Sequence, residues 1–195
     1  NPYGTSKMML ERALADIAAA SRMPHMTLRY FNAAGADGEI GECRPVETHL
    51  IPLALDAAAG RRPPLTLFGS DYPTPDGTAV RDYIHVADLA RAHVQALDRL
   101  LGGGSSGTVN LGTGRGASVR DILTTIETVT GSAVPHSLAP RRTGDAAALV
   151  ADPAHARNLL GRELTPMSDL RSIVESAWAW QSHPLYARAL APAAA

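Results

Sequence analysis

The stretch Tyr3-Gly4-Thr5-Ser6-Lys7 decides the fold of this 195-residue chain more than any other. Pro2 suits the first turn of a helix, and Leu10, Leu14 and Ile17 continue an apolar stripe at helical spacing. On a helix, a tyrosine and a lysine four residues apart lie on one face. An ammonium group beside a phenol favours the phenolate, which can take a proton from an alcohol while a cofactor accepts hydride. We therefore predict a helix that docks on a nucleotide-binding sheet.

Outward from this helix, strands and helices alternate along the chain. We predict strands at 26–31, 65–68, 80–86, 108–111 and 149–150, and helices at 48–59, 87–101, 118–130, 153–160 and 168–181. Between them, we predict a loop at 32–38 and a long turn at 69–77, where Pro, Asp and Gly are frequent. Alternation of this kind indicates an α/β fold, with an incomplete parallel sheet at the N-terminal end.

The composition excludes several classes of protein. A formal charge of −1 and a pI near 6.7 predict neither a nucleic-acid nor an anionic-membrane partner. The single Cys43 excludes an internal disulfide and, with no signal peptide visible, indicates a cytoplasmic protein. No apolar run approaches the roughly 20 residues that span a bilayer. The histidine and acidic residues show no metal-ligand spacing, so we predict no metal.

Two segments offer contrasting signals for ligand binding. Asn110–Gly116 has the look of a dinucleotide-binding loop, but its third glycine comes one residue early and no acidic residue ends a following strand. We interpret it as a tight turn between a strand and a helix. The segment 69–86 is more specific, because an arginine there, Arg81, can pair bidentately with a diphosphate. His85 lies between Ile and Val, and we interpret it as structural rather than as a base.

A third segment, Ala139–Asp145, places two more arginines and a carboxylate on a loop. Alone it is equally typical of a solvated basic loop. Together with Arg81 it suggests a second clamp on one anionic ligand.

Taken together, these segments resemble the UDP-glucose 4-epimerase family of the extended short-chain dehydrogenases/reductases. The resemblance runs from Asn1 to about Gln181 and rests on these stretches in order: 1–7, Leu28–Asn32, Glu47–Pro52, 65–86, 139–145 and 178–181. It implies the C-terminal portion of such an enzyme, with most of the NAD-binding domain outside this sequence. The implied domains are the end of a Rossmann domain at 1–35, to which about 80–112 return, a smaller α/β UDP-sugar-binding domain over 36–183, and a flexible tail at 184–195.

The resemblance also implies an activity and its residues. NAD would accept hydride from C4 of a UDP-hexose, the 4-keto sugar would rotate, and re-reduction would interconvert UDP-glucose and UDP-galactose. Tyr3 would be the base, and Lys7 would support it and bind the nicotinamide ribose. Tyr30 and Phe31 would lie near the nicotinamide. The implied substrate residues are Asn32, His49, Leu50, Thr66, Leu67, Phe68, Arg81, Arg142, Asp145 and Leu149.

Finer points follow from the same resemblance. Leu149 would line the hexose pocket, and its intermediate size predicts a preference for plain over N-acetylated sugars. His49 stands where relatives carry Asn. A homodimer is implied for the full-length protein. These 195 residues alone are expected to bind NAD poorly, to lack turnover and to aggregate through uncovered apolar faces.

Two alternatives remain open. One is another nucleotide-sugar enzyme of the same superfamily, such as a 4,6-dehydratase or a UDP-glucuronate epimerase. The other is a non-catalytic sugar-nucleotide-binding remnant that has lost its cofactor domain.

Overall fold

The computed structural model describes residues 2–161 and 164–190. Asn1, which opens the predicted motif, and residues 191–195 of the predicted tail lie outside the described residues. Within them the helices are α1 (Pro2–Ser21), α2 (Leu50–Ala58), α3 (Val86–Leu101), α4 (Val119–Thr130), α5 (Ala154–Leu160), α6 (Leu170–Gln181) and α7 (Pro184–Leu190). The strands are β1 (Met26–Tyr30), β2 (Asn32–Ala34), β3 (Leu65–Phe68), β4 (Val80–His85), β5 (Gly107–Leu111), β6 (Gly116–Ser118), β7 (His136–Ala139) and β8 (Ala148–Leu149).

Among residues 2–161 and 164–190, strand pairing forms three small sheets. β1 pairs in parallel with β5, and β3 pairs in parallel with β7. The third sheet centres on β4, which pairs with β2, β6 and β8. The second half of β4 runs parallel to β2, and its first half runs parallel to β8 and antiparallel to β6. The predicted α/β class with parallel strands is confirmed.

Every helix and strand predicted in the described residues is present, within a few residues at each end, but three short strands were not predicted. The loop predicted at 32–38 is wrong at its start, because the backbone after β1 continues as β2 alongside β4. β6 and β7 contain Gly, Ala, Ser and His, residue types with little tendency to form strands. Their strand conformation comes from hydrogen bonding to β4 and β3, which the local sequence does not reveal.

The two larger hydrophobic cores of the described residues lie on different elements. One joins α2, α4, α6 and β3 around fully buried Leu55, Ile122 and Ile173. The other joins α3, α5, β1 and β5 around Val109 and Leu111. Apolar side chains of α1, in contrast, are exposed, including Met8, Met9, Leu10 and Ile17.

The end of the described chain is helical. α7 occupies residues 184–190 of the segment expected to be a flexible tail, and Tyr186 is buried edge-on against Trp180. None of the helices within 2–161 and 164–190 is both long enough and apolar enough to cross a membrane.

Candidate active site

Tyr3 and Lys7 lie one turn apart on α1, as predicted. The Lys7 ammonium is 5.1 Å from the centroid of the Tyr3 ring. Tyr3 is 72% exposed, so its hydroxyl is open to a ligand. Gly4 follows Tyr3 on the helix, and because it has no side chain, nothing projects from the helix surface at that position. A tyrosine and a lysine therefore share one open face of α1.

A cavity of about 520 Å³ lies beside Tyr3. It is walled by the end of β1, by β2 and by the start of α2. Six of the predicted site residues line it: Tyr3, Tyr30, Phe31, Asn32, His49 and Leu50. Residues distant in sequence thus converge at one cavity.

A second cavity, of about 600 Å³, lies in the groove between α1 and β1. Lys7 and Gly4 line it, and Tyr3 and Tyr30 line both cavities. The two cavities therefore meet at the two tyrosines. A ligand that spanned both cavities would contact both Tyr3 and Lys7.

The remaining predicted residues form a separate group on β3, β4, β8 and the loop before β8. The Arg142 guanidinium stacks on the Phe68 ring, 3.9 Å from its centroid. The Asp145 backbone N–H donates to the Arg142 carbonyl at 3.4 Å, and both residues are exposed. Thr66 is exposed, whereas the Leu67 side chain is buried in the core, so only its backbone can meet a ligand.

Arg81 and Leu149 belong to this same group. They are register partners on β4 and β8. The Arg81 guanidinium donates to the carbonyls of Val80 and Ala146, at 2.8 and 2.9 Å. Within the described residues, the seven members of this group line neither of the two cavities. The structure thus places the predicted residues in two groups.

His49 precedes α2 and lies among charged side chains. Its Nδ1 is 3.2 Å from a Glu42 carboxylate oxygen and 3.0 Å from one of Glu47. The ligand atoms of Glu42, Glu47 and His49 fall within 4.8 Å of one another. Glu42 also pairs with Arg44, and Glu47 accepts the backbone N–H groups of Thr48 and His49. Ion pairing and helix-start hydrogen bonds account for this group without a metal ion.

His85 is structural, as interpreted from the sequence. It is fully buried at the start of α3, where Nδ1 accepts the Ala87 N–H at 3.1 Å. Its Nε2 lies 2.9 Å from the Ser176 hydroxyl. Burial lowers the pKa of His85, which favours the neutral ring that this cap requires. The glycine-rich turn after β5 is also structural, since Thr113 and Gly114 donate their N–H groups to Asp82.

Comparisons with known proteins identify the family of this chain. Residues 1–112 match the NAD dependent epimerase/dehydratase family. The chain belongs to that family. A UDP-glucose 4-epimerase of Rhizobium leguminosarum bv. trifolii is 52% identical to it, over 93% of this chain and 56% of the relative.

Two solved epimerase structures are also similar. The UDP-glucose 4-epimerase from Brucella ovis in complex with NAD is 53% identical with a TM-score of 0.88, over 91% of this chain and 55% of that one. The enzyme from Stenotrophomonas maltophila, with bound NAD and formylated UDP-arabinopyranose, is 44% identical with a TM-score of 0.86. The match covers 93% of this chain and 55% of that one. This member of the epimerase/dehydratase family thus spans about half the length of the relatives it matches, as expected for the C-terminal portion of such an enzyme.

Several residues that line the first cavity of this family member were not predicted as site residues. They include Glu42, Arg44, Thr48, Trp180 and Gln181. Trp180 and Gln181 stood in a motif that carried the resemblance, so a signal existed for them. Glu42 and Arg44 lie in an irregular segment with no periodic pattern, and only the folded chain places them at the cavity.

Proposed function

We propose that this chain is the substrate-binding and catalytic-base portion of an NAD-dependent UDP-glucose 4-epimerase. The observation that carries the proposal is the position of Tyr3. It lies at the junction of two cavities, with Lys7 beside it in one and Asn32 and His49 in the other. Membership of the epimerase/dehydratase family and the names of the relatives support it.

The groove between α1 and β1 suits the nicotinamide end of NAD. Lys7 would hold the ribose hydroxyls, and Tyr30, which lines this groove, would face the ring. Phe31 would approach the ring from the first cavity. When bound, NAD accepts the hydride from C4 of the sugar and returns it. The fit rests on the open Tyr3–Lys7 face of α1 and on a groove large enough for a flat ring.

The side chains of this chain would then handle the proton. The Tyr3 phenolate takes the proton of the sugar 4-hydroxyl as the C4–H bond breaks, and the C4–O bond becomes a ketone. The Lys7 ammonium stabilises the negative charge on Tyr3 before this transfer. After the sugar turns over, Tyr3 returns its proton to the oxygen at C4, and the epimer results.

Turnover of the sugar requires a firmly held UDP and a loosely held hexose. Arg81 and Arg142 would bind the diphosphate, and Phe68 would contribute an aromatic face. Asn32, His49 and Leu50 would complete the pocket from the first cavity. In the full-length protein, the proposal includes cytoplasmic location and a homodimer.

The test uses a complete enzyme in which this chain follows the N-terminal part of the Rhizobium relative. It should interconvert UDP-glucose and UDP-galactose, and Tyr3→Phe should lower kcat by at least about a hundredfold while UDP binding is kept. Tyr186→Phe, a buried tyrosine of α7, is the matched control and should retain activity. The 195-residue chain alone should bind UDP but show no turnover, since this sequence contains no counterpart of the family's glycine-rich phosphate loop.

Other results would contradict the proposal. Conversion of UDP-glucose to a 4-keto-6-deoxy sugar would indicate a dehydratase. UDP binding without epimerisation in the complete enzyme would indicate a non-catalytic remnant.

A further inference from the structure

The Asp82 carboxylate is fully buried and accepts four hydrogen bonds. Its Oδ1 accepts the Thr113 N–H at 2.9 Å and the Thr113 hydroxyl at 2.7 Å. Its Oδ2 accepts the N–H groups of Gly114 at 3.0 Å and Ala151 at 3.1 Å. A buried carboxylate is costly unless donors surround it, and these four donors hold it in one orientation.

These donors come from two segments distant in sequence. Thr113 and Gly114 form the turn after β5, and Ala151 follows β8. The two segments also touch each other at Gly112, where an added Cβ would lie 2.5 Å from the Ala151 Cβ and 2.8 Å from Asp82 Oδ2. The two segments therefore pack closely against each other around Asp82.

Asp82 also lies next to three of the proposed UDP-sugar residues. Arg81 precedes it on β4, and the register partner of Arg81 on β8 is Leu149. Leu149 is two residues before Ala151, so the Ala151 hydrogen bond anchors the end of β8. From the other side, the Asn32 side-chain amide donates to the Asp82 backbone carbonyl at 2.9 Å. Asp82 is the residue to which the strands carrying Asn32, Arg81 and Leu149 are all joined.

We propose that Asp82 is a positioning residue for UDP-sugar binding: its carboxylate holds Leu149 in register with Arg81 through Ala151, and its backbone carbonyl holds Asn32. β8 is only two residues long, and its register on β4 is weakly determined by its own ladder. The Ala151 hydrogen bond stops β8 from shifting, and a shift of one residue would turn Leu149 away from the sugar side. The inference rests on the proposed function, because it assumes that these three residues bind a UDP-sugar.

The test is Asp82→Asn in the 195-residue chain. UDP is the probe, because the segment before β8 also holds the Arg81 guanidinium, through the Ala146 carbonyl. The amide keeps the shape, but its NH2 group cannot accept, so either Gly114 and Ala151 or Thr113 loses a partner. We expect the Kd for UDP from calorimetry to rise at least tenfold. We also expect faster amide hydrogen exchange at the residues that lose a partner.

Asp88→Asn is the matched control. Asp88 is also fully buried and accepts the Met167 N–H at 2.9 Å and the Ser168 hydroxyl at 2.6 Å, but neither donor is close in sequence to a proposed ligand residue, as Ala151 is to Leu149. Asp88→Asn should lower the free energy of unfolding but change the Kd for UDP by less than twofold. If Asp82→Asn does not fold, Thr113→Val removes one of the four hydrogen bonds and should raise the Kd twofold to fivefold.

Three outcomes would overturn the inference. The first is an unchanged Kd in Asp82→Asn, or in Thr113→Val if the first variant does not fold. The second is an equal rise in Asp88→Asn, which would mean that any loss of stability weakens binding. The third is absence of UDP binding by the unmodified chain. Of the three outcomes, only this one contradicts the proposed function, and the inference fails with it.

Discussion

The Arg29 guanidinium forms a two-pronged ion pair with the Glu11 carboxylate, with Nε–Oε1 and Nη2–Oε2 distances of 2.7 and 2.5 Å. This pair links β1 to α1. Glu11 lies one turn beyond Lys7, which lies one turn beyond Tyr3, so all three share a face of the helix. The hydrogen bonds from Arg29 lower the pKa of Glu11, which keeps the carboxylate ionised. The ion pair therefore orients the helix that carries the proposed base.

The first prediction concerns this pair. Because both side chains are partly solvated, we expect a coupling energy of only about 0.5–1 kcal/mol in a double-mutant cycle of Glu11→Ala and Arg29→Ala. Urea unfolding of the four chains measures it. The Arg12–Asp16 pair, exposed on the same helix, is the control and should show less coupling. A Glu11–Arg29 coupling of zero would show that the pair does not hold α1 to β1.

The second prediction is that acid weakens the fold through His85. Burial lowers the pKa of His85 below its ordinary value of 6.5, and the carboxylates of Asp88, Asp37 and Asp169 oppose this less strongly. The unfolded chain therefore takes up the proton first. This part of the stability is complete above about pH 6.5 and is lost as the pH falls through the lower pKa of the folded state.

Thermal unfolding between pH 7.5 and 5 tests this effect. His85→Asn offers a helix cap that does not titrate, so it should be less stable at pH 7.5 but lose less between the two pH values. His155→Gln, which alters an exposed histidine, should keep the pH dependence of the unmodified chain. Equal pH dependence in His85→Asn would contradict the assignment.

The third prediction separates backbone strain from steric contact at two glycines. Gly77 and Gly60 have φ angles of +80° and +69°. A Cβ at Gly77 would lie 2.2 Å from the Ser70 carbonyl oxygen, whereas nothing lies within 4 Å of one at Gly60. We expect Gly60→Ala to cost about 1 kcal/mol and Gly77→Ala about 3 kcal/mol, because the second adds a clash with backbone. Urea unfolding measures both, and equal losses would contradict the distinction.

The fourth prediction concerns the choice of sugar. Leu149 is 49% exposed on β8, beside Arg81. In the complete enzyme, we expect kcat/KM for plain UDP-hexoses to exceed that for N-acetylated ones by at least about tenfold, since roughly 1–3 kcal/mol separates substrates that differ in pocket fit. Leu149→Ser should narrow this ratio and Leu149→Tyr should widen it. Equal kcat/KM values for both sugar pairs in the unmodified enzyme would show that Leu149 does not limit the pocket.

Local patterns were sufficient to predict most of the fold. The Tyr3–Lys7 helix, the turn formers of 69–77 and the helix cap at Ser118 are each set by residues close in sequence, and Ser118 caps α4 in a capping box. β2, β6 and β7 could not be predicted in the same way. Their short polar or small-residue segments become strands only because β4 and β3 offer free hydrogen-bonding edges.

The candidate site shows the same division. Motifs and their order were sufficient to predict which residue types form the site, including the Tyr3–Lys7 pair, Arg81 and Arg142. Their grouping could not be predicted in this way, because it depends on which strands lie side by side. Neither the burial of the Leu67 side chain nor the presence of Glu42 and Arg44 at the cavity follows from any local pattern.

The sequence by itself determined the helices other than α7, the longer strands and the chemical identity of the proposed base and its partner, since helix periodicity and side-chain chemistry are local properties. Only the tertiary structure decided that Tyr3 meets Asn32 and His49 at one cavity, and that Asp82 joins the strands of Asn32, Arg81 and Leu149. Those relationships depend on packing and on hydrogen bonds between residues 31 to 69 positions apart, which no local pattern encodes.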